Sequence, residues 1–390
     1  MELIWYGPVW GQSGMEQVTR QLLGALDQLG VQIELRPDTH WNAERVGLPP
    51  MLLRRLARMT TQRVTPYAPH VICQLPKGQP IAPDAPTLCY TLFETDRCPG
   101  PWVHALRSMD RVLVFSDFNR MAWGQTGLEA DRVGALPPAV DSFVYTPDGP
   151  RVTITNAKGF VLLLSGDYTE RKNFEAVIEA YVKEFHAAEP VTLVIKAHYG
   201  GFAKRHRRDV RDRIATVAAR FARAGDVPRI LFWGDKVSDW TMAALYRSVD
   251  AFVLTSRGEG LGLQYLEAMA SGVPVIAADW GAQADYLDAT NALLVKSSLK
   301  VIDDPNYILK CPQALNSQWC HVSIDDLRDA LRSVVTRYPE AQAKAQRARA
   351  WVRGQTWHRA AVAFIREVLT MYDGRRPAPV AEPALAEVAG

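Results

Sequence analysis

Residues 256–274 read SRGEGLGLQYLEAMASGVP, and this stretch constrains the fold more than any other. The run before it, Asp250 to Thr255, is short and apolar, with the β-branched and aromatic content of a buried parallel strand. Gly258, Gly260 and Gly262 then alternate with other residues, which lets the backbone turn tightly and approach a ligand with no Cβ in the way. From Leu263 the apolar spacing becomes helical through Leu266, Met269 and Ala270. Gly272 and Pro274 supply stop signals, and Val275 to Ala278 is the next strand. Such a unit places backbone N–H groups and the positive end of a helix where an anion can sit, and phosphate is the natural guest. Glu259 in the turn and Glu267 in the helix can border the same pocket and accept hydrogen bonds from sugar hydroxyls. They can equally be two solvated glutamates.

The full string resembles the signature of retaining glycosyltransferases of family 4, which have the GT-B fold. Their pattern is a glutamate, a Gly-x-Gly turn and a second glutamate eight residues on in a Glu-Ala-Met-Ala-like helix. Here these are Glu259, Gly260-Leu261-Gly262 and Glu267-Ala268-Met269-Ala270. The resemblance implies that Glu259 faces the donor sugar and Glu267 the ribose, with Gly260, Leu261, Gly262 and Leu263 lining the donor. Gln264 stands where members of the family commonly have proline.

The chain has 390 residues, enough for two or three domains with sizeable cores. With 48% hydrophobic and 22% charged residues the composition is globular, and a net charge of +3 gives no ground for nucleic acid as a partner. The apolar runs fall short of a membrane span, and Met1 leads directly into a strand, so a cytoplasmic protein is expected. Cys73, Cys89, Cys98, Cys311 and Cys320 form an odd set without CxxC spacing, which points to reduced thiols rather than disulfides or zinc.

Glu2 to Tyr6 is a strand followed by a glycine loop, with Gly11, Ser13 and Gly14 ahead of a helix carrying Val18, Leu22, Leu23 and Leu26. The spacing is not that of a dinucleotide fingerprint. The loop resembles the family's first glycine-rich loop, beside the donor's phosphates and sugar, although a glycine-rich helix start with no ligand has the same spacing. After the strand Thr87 to Leu92 comes FETDRCPGPW, another phrase resembling the family's, which implies that Glu94, Thr95 and Asp96 border the acceptor and donor sugars. Asp96 and Arg97 could instead cap the next helix. Leu136 to Pro147, with three prolines and no helical period, reads as a linker and sets a boundary near residue 150.

In the second half Phe160 to Leu164 is a buried strand, and a helix starts after Asn173. Arg171 and Lys172 stand at its mouth, where they could neutralise a diphosphate. By resemblance Lys172 matches the family's phosphate-binding lysine, while Asp167, after Gly166, occupies the position of its arginine. Asp167 should therefore point away from the phosphates or pair with a neighbouring cation. The basic run Lys204 to Arg213 is a solvated helix face or, failing that, a contact with the inner membrane surface or an anionic acceptor. Gly234, Asp235 and Lys236 follow the strand Ile230 to Trp233 and by resemblance lie near the nucleobase, and Ser238 is a helix N-cap. Lys300 to His321 is expected to be an irregular insertion. Helices are expected over Asp325 to Tyr338 and Pro339 to Gly354.

These readings combine into two doubly wound α/β domains facing one cleft. The resemblance implies that residues 1–150 form the acceptor side and 151–350 the nucleotide-sugar side, with a crossing helix over 351–372, and composition adds a disordered tail over 373–390. As a family member the chain would move a sugar with retention from a UDP- or GDP-sugar to a hydroxyl of a glycan, lipid or small molecule. Lys172, Arg171, Glu259 and Asp96 would serve the chemistry. No Asp-x-Asp pair occurs in the sequence, so no metal cofactor is expected. The rival readings are another GT-B reaction, such as a nucleotide-sugar epimerase or phosphorylase, and a non-catalytic sugar-nucleotide binding module.

Overall fold

The structure, a computed structural model, describes residues 1–11, 13–38, 48–76, 84–199, 204–223 and 225–373. The tail expected after Asp373 lies outside the described residues.

The first sheet comprises β1 (Glu2–Gly7), β2 (Gln32–Pro37), β3 (His70–Ile72), β4 (Thr87–Thr91), β5 (Arg111–Val114) and β6 (Val133–Ala135). All pairs are parallel, in the order β2-β1-β3-β4-β5-β6. Its helices are α1 (Gly14–Gln28), α2 (Pro50–Thr61), α3 (Gly100–Arg107) and α4 (Asp117–Gly124). The second sheet comprises β7 (Phe160–Asp167), β8 (Val191–His198), β9 (Arg229–Trp233), β10 (Ala251–Leu254), β11 (Val275–Ala278) and β12 (Leu293–Val295). It too is parallel, in the order β12-β11-β10-β7-β8-β9. Here α5 (Phe174–Glu184), α6 (Lys204–Phe221), α7 (Asp239–Tyr246) and α8 (Leu263–Ala270) join the strands.

The strand order reverses between β7 and β10, so the loops after these two strands flank the crevice at which an open α/β sheet binds its ligands. β7 carries the buried run Val161 to Leu164, and β10 is buried throughout, as strands covered on both faces must be. The expected N-cap at Ser238 is present, its side chain accepting from the Thr241 amide. On α6, Arg205, Arg208, Arg211 and Arg213 are exposed. Among the described residues no helix is long and apolar enough to cross a membrane.

The segment expected to be irregular is ordered. β13 (Ser297–Val301) and β14 (Gln318–Val322) pair antiparallel, with α9 (Pro305–Lys310) between them. Its order comes from burial: Ile302, Ala314 and Trp319 join one apolar cluster with Phe93, Cys98 and Trp102 of the first domain. This arm belongs to the second domain but docks on the first.

After α10 (Ile324–Thr336) and α11 (Tyr338–Val352), the last helix, α12 (Trp357–Asp373), returns to the first domain as expected. Phe364 is fully buried, its ring 5.5 Å from Trp5 and 6.4 Å from Tyr90, and Arg111 on β5 pairs with Glu367 at 2.5 Å. Phe364→Ala is therefore expected to reduce unfolding stability by about 3–5 kcal/mol, read as a lower urea midpoint. An unchanged midpoint would mean that α12 does not hold the first domain.

Candidate active site

The loops after β7 and β10 are stitched together by their backbones. The Arg257 amide donates to the Arg171 carbonyl at 2.7 Å, and Asn173 Nδ2 donates to the Thr255 carbonyl at 3.1 Å. Asn173 adopts a left-handed conformation (φ 56°), which asparagine tolerates better than most residues, and so turns the chain into α5. This brings Arg171 and Lys172 against the glycine turn.

Lys172 is buried, with Nζ 2.6 Å from Glu259 Oε1. Arg171 donates to the Gly258 carbonyl at 2.7 Å and lies 3.4 Å from Glu259 Oε2 and 3.3 Å from Glu94 Oε1. Two cations from the β7 loop thus converge on one glutamate of the β10 loop, and a second carboxylate reaches over from the first domain. Burial alone would raise the Glu259 pKa, but Lys172 and Arg171 outweigh it and hold the carboxyl below its ordinary range.

The alternating glycines answer to this close approach. A Cβ on Gly258 would lie 1.8 Å from the Glu94 carbonyl oxygen, and one on Gly260 would lie 2.9 Å from the Leu92 side chain. Gly262 has φ 78° and brings no capping side chain to α8. Leu261 is buried, and its carbonyl accepts from the Tyr286 hydroxyl at 2.6 Å. Gly14 faces the α8 start, since a Cβ there would lie 3.8 Å from Leu263 Cδ1. Gly166 (φ 149°) lies beside both Lys172 and Gln264.

Glu267 is buried where the two domains meet. Gln17 of α1 donates to it at 3.2 Å, the Tyr246 hydroxyl of α7 donates at 3.2 Å, and Tyr145 of the connecting segment adds a third bond. Burial, with the negative charge of Asp239 second, pushes its carboxyl up to about 8, and the three hydrogen bonds offset this only in part.

The remaining expected site residues lie elsewhere. The Gly11 amide donates to Glu16 Oε1 at 2.5 Å, and both the Ser13 amide and hydroxyl donate to Glu16 Oε2 at 2.9 Å. The first loop is organised by an internal carboxylate in a capping box, a signal legible as Ser-x-x-Glu in the sequence. Asp96 neither caps α3 nor joins the Arg171 cluster. It accepts from the Gln318 amide at 2.6 Å, returns its own amide to the Gln318 carbonyl at 3.1 Å, and so fastens the arm. Gly234 lies against the Phe232 ring, and Asp235 pairs with Arg207 of α6. Asp167 Oδ1 lies 2.5 Å from His198 Nε2. Sequence reasoning missed Gln17, Tyr145 and Tyr246, which no local motif marks.

Residues 159–304 match the family model described as "Glycosyl transferases group 1". A lipopolysaccharide core biosynthesis mannosyltransferase, LpsB of Rhizobium meliloti (strain 1021), is 42% identical over 91 residues, 22% of this chain and 24% of that protein. A D-inositol 3-phosphate glycosyltransferase of Xylanimonas cellulosilytica is 28% identical over 188 residues, 43% of this chain and 40% of that protein. The matched parts thus span well under half the length of these relatives. The crystal structure of Anabaena Alr3699/HepE in complex with UDP and glucose superposes with a TM-score of 0.62 at 14% identity, covering 95% of this chain and 99% of that one. Two parallel six-stranded sheets and a returning C-terminal helix complete the case: the chain has the GT-B fold, and residues 159–304 of its second domain are similar to the group 1 glycosyl transferases.

Proposed function

We propose that the protein is a retaining, metal-independent glycosyltransferase of family 4 that transfers a sugar from a UDP- or GDP-sugar to a hydroxyl acceptor. The observation that carries this reading is the meeting of Lys172, Arg171 and Glu259 in the crevice between β7 and β10. The UDP and glucose in the HepE structure, and the mannosyltransferase among the relatives, support a nucleotide-sugar donor.

In this reading the donor's diphosphate takes over the ammonium of Lys172, and Glu259, so released, accepts hydrogen bonds from the sugar. As the bond from the anomeric carbon to the β-phosphate oxygen breaks, negative charge builds on that oxygen, where Lys172 stabilises it. The acceptor hydroxyl attacks from the same face and passes its proton to the departing phosphate. No side chain forms a covalent intermediate. Glu267 receives the ribose hydroxyls from its place between α1, α7 and the connecting segment.

A thermal-shift panel of UDP-, GDP-, ADP- and TDP-sugars tests the donor class, and a flat response to all four would overturn the reading. With the responding donor, Lys172→Ala should lower kcat by about 10²–10³-fold, the usual loss on removing one transition-state donor, and near-full turnover would move the chemistry elsewhere. Turnover should be the same in EDTA as in buffer. Loss in chelator with recovery on Mn²⁺ would refute the metal-independent mechanism.

The Glu267 carboxyl also predicts a pH dependence of stability. Below about pH 4.5 it is protonated in the folded and unfolded chain alike. As pH rises toward 8 the unfolded chain releases the proton first, so the folded state loses stability across that window. Glu267→Gln should therefore melt above the wild type at pH 8, with the difference shrinking at pH 5, while its nucleotide Kd rises about tenfold. A variant that melts lower at pH 8 would show that the carboxylate is ionised in the fold.

A further inference from the structure

Lys196 is a buried cation on the strand next to β7. It lies near the end of β8 at 6% exposure and makes no hydrogen bond or ion pair among the described residues. In the parallel register it stands opposite Ser165 on β7 and Trp233 on β9, and His198 stands opposite Asp167. Alternation along the strands puts the side chains of Ser165, Asp167, Lys196 and His198 on one face.

Two aspartates are close enough to act on Lys196, and both are already engaged. Asp167 is held by His198 and also lies in the field of Lys172 and Arg171, while Asp235 is held by Arg207. A buried ammonium without a partner is costly by several kcal/mol, and burial lowers the Lys196 pKa to about 8. The position is also the one where open α/β sheets take their ligands, at the carboxyl ends of the strands. Asp167 is the common neighbour, with Lys196 on the adjoining strand and Lys172 and Arg171 in the loop that follows it.

The geometry points to Lys196 as a phosphate-binding residue of the nucleotide site, a third cation that meets the donor's diphosphate alongside Lys172 and Arg171. This inference rests on the nucleotide-sugar reading above. It explains why an unpaired cation is retained in the sheet: the anion that balances it arrives with the ligand.

Lys196→Met keeps most of the apolar stem and removes the charge, and Lys196→Gln is the second variant should Met fail to fold. Calorimetry with UDP, GDP, ADP and TDP, and with their parent nucleosides, reads the result. The expected outcome is a melting temperature equal to or above the wild type, a Kd for the bound diphosphate raised at least tenfold, and a nucleoside Kd unchanged. A folded variant that binds the diphosphate like the wild type, while Lys172→Ala loses it, would overturn this inference and leave the transferase reading intact. Equal losses for diphosphate and nucleoside would also overturn it, because the lysine would then be supporting the base or the fold. A wild-type protein that binds none of the four diphosphates would overturn both.

Discussion

The site depends on a buried cluster of opposite charges. Lys172 and Glu259 are buried and Arg171 largely so, and each charge would be costly there on its own. Together they are stable only while the loops after β7 and β10 hold their relative positions. That requirement accounts for the backbone bond from Arg257 to Arg171, for the Asn173 side chain that reaches the Thr255 carbonyl, and for glycines where a Cβ would strike Glu94 or Leu92. The participation of Glu94 ties the electrostatics to the closeness of the two domains.

Glu267 has the opposite character. It has hydrogen-bond donors around it, no cation touches it among the described residues, and a second acid, Asp239, lies near enough to disfavour its ionised form. Two glutamates eight residues apart in one motif therefore start from different protonation preferences, and the cause is their neighbours rather than the motif.

Much of this was legible in the sequence because it is local. The glycine turn, the switch from strand to helix at Leu263 and the Arg-Lys pair before α5 all announce themselves within a few residues, whereas the return of α12 was implied only by the family resemblance. What stayed hidden is contact between distant segments. Gln17, Tyr145 and Tyr246 come from three separate elements and gather only when the domains pack on Glu267. Asp96 looked like a site residue or a helix cap, yet the partner it finds is Gln318. The arm read as irregular because its two strands are separated by sixteen residues, β13 buries no side chain and the two buried residues of β14, Trp319 and Cys320, are adjacent, so neither a hairpin signal nor clean alternation survives.

The arm also changes what it means for the cleft to open. Trp319, Ile302 and Ala314 are anchored in the second domain but sit in an apolar cluster with Phe93 and Trp102 of the first. Separating the domains would wet that cluster as well as break polar contacts. The opening equilibrium therefore carries a positive heat-capacity change, as partial unfolding does, and it shifts with temperature even if every charge in the cleft stays as it is.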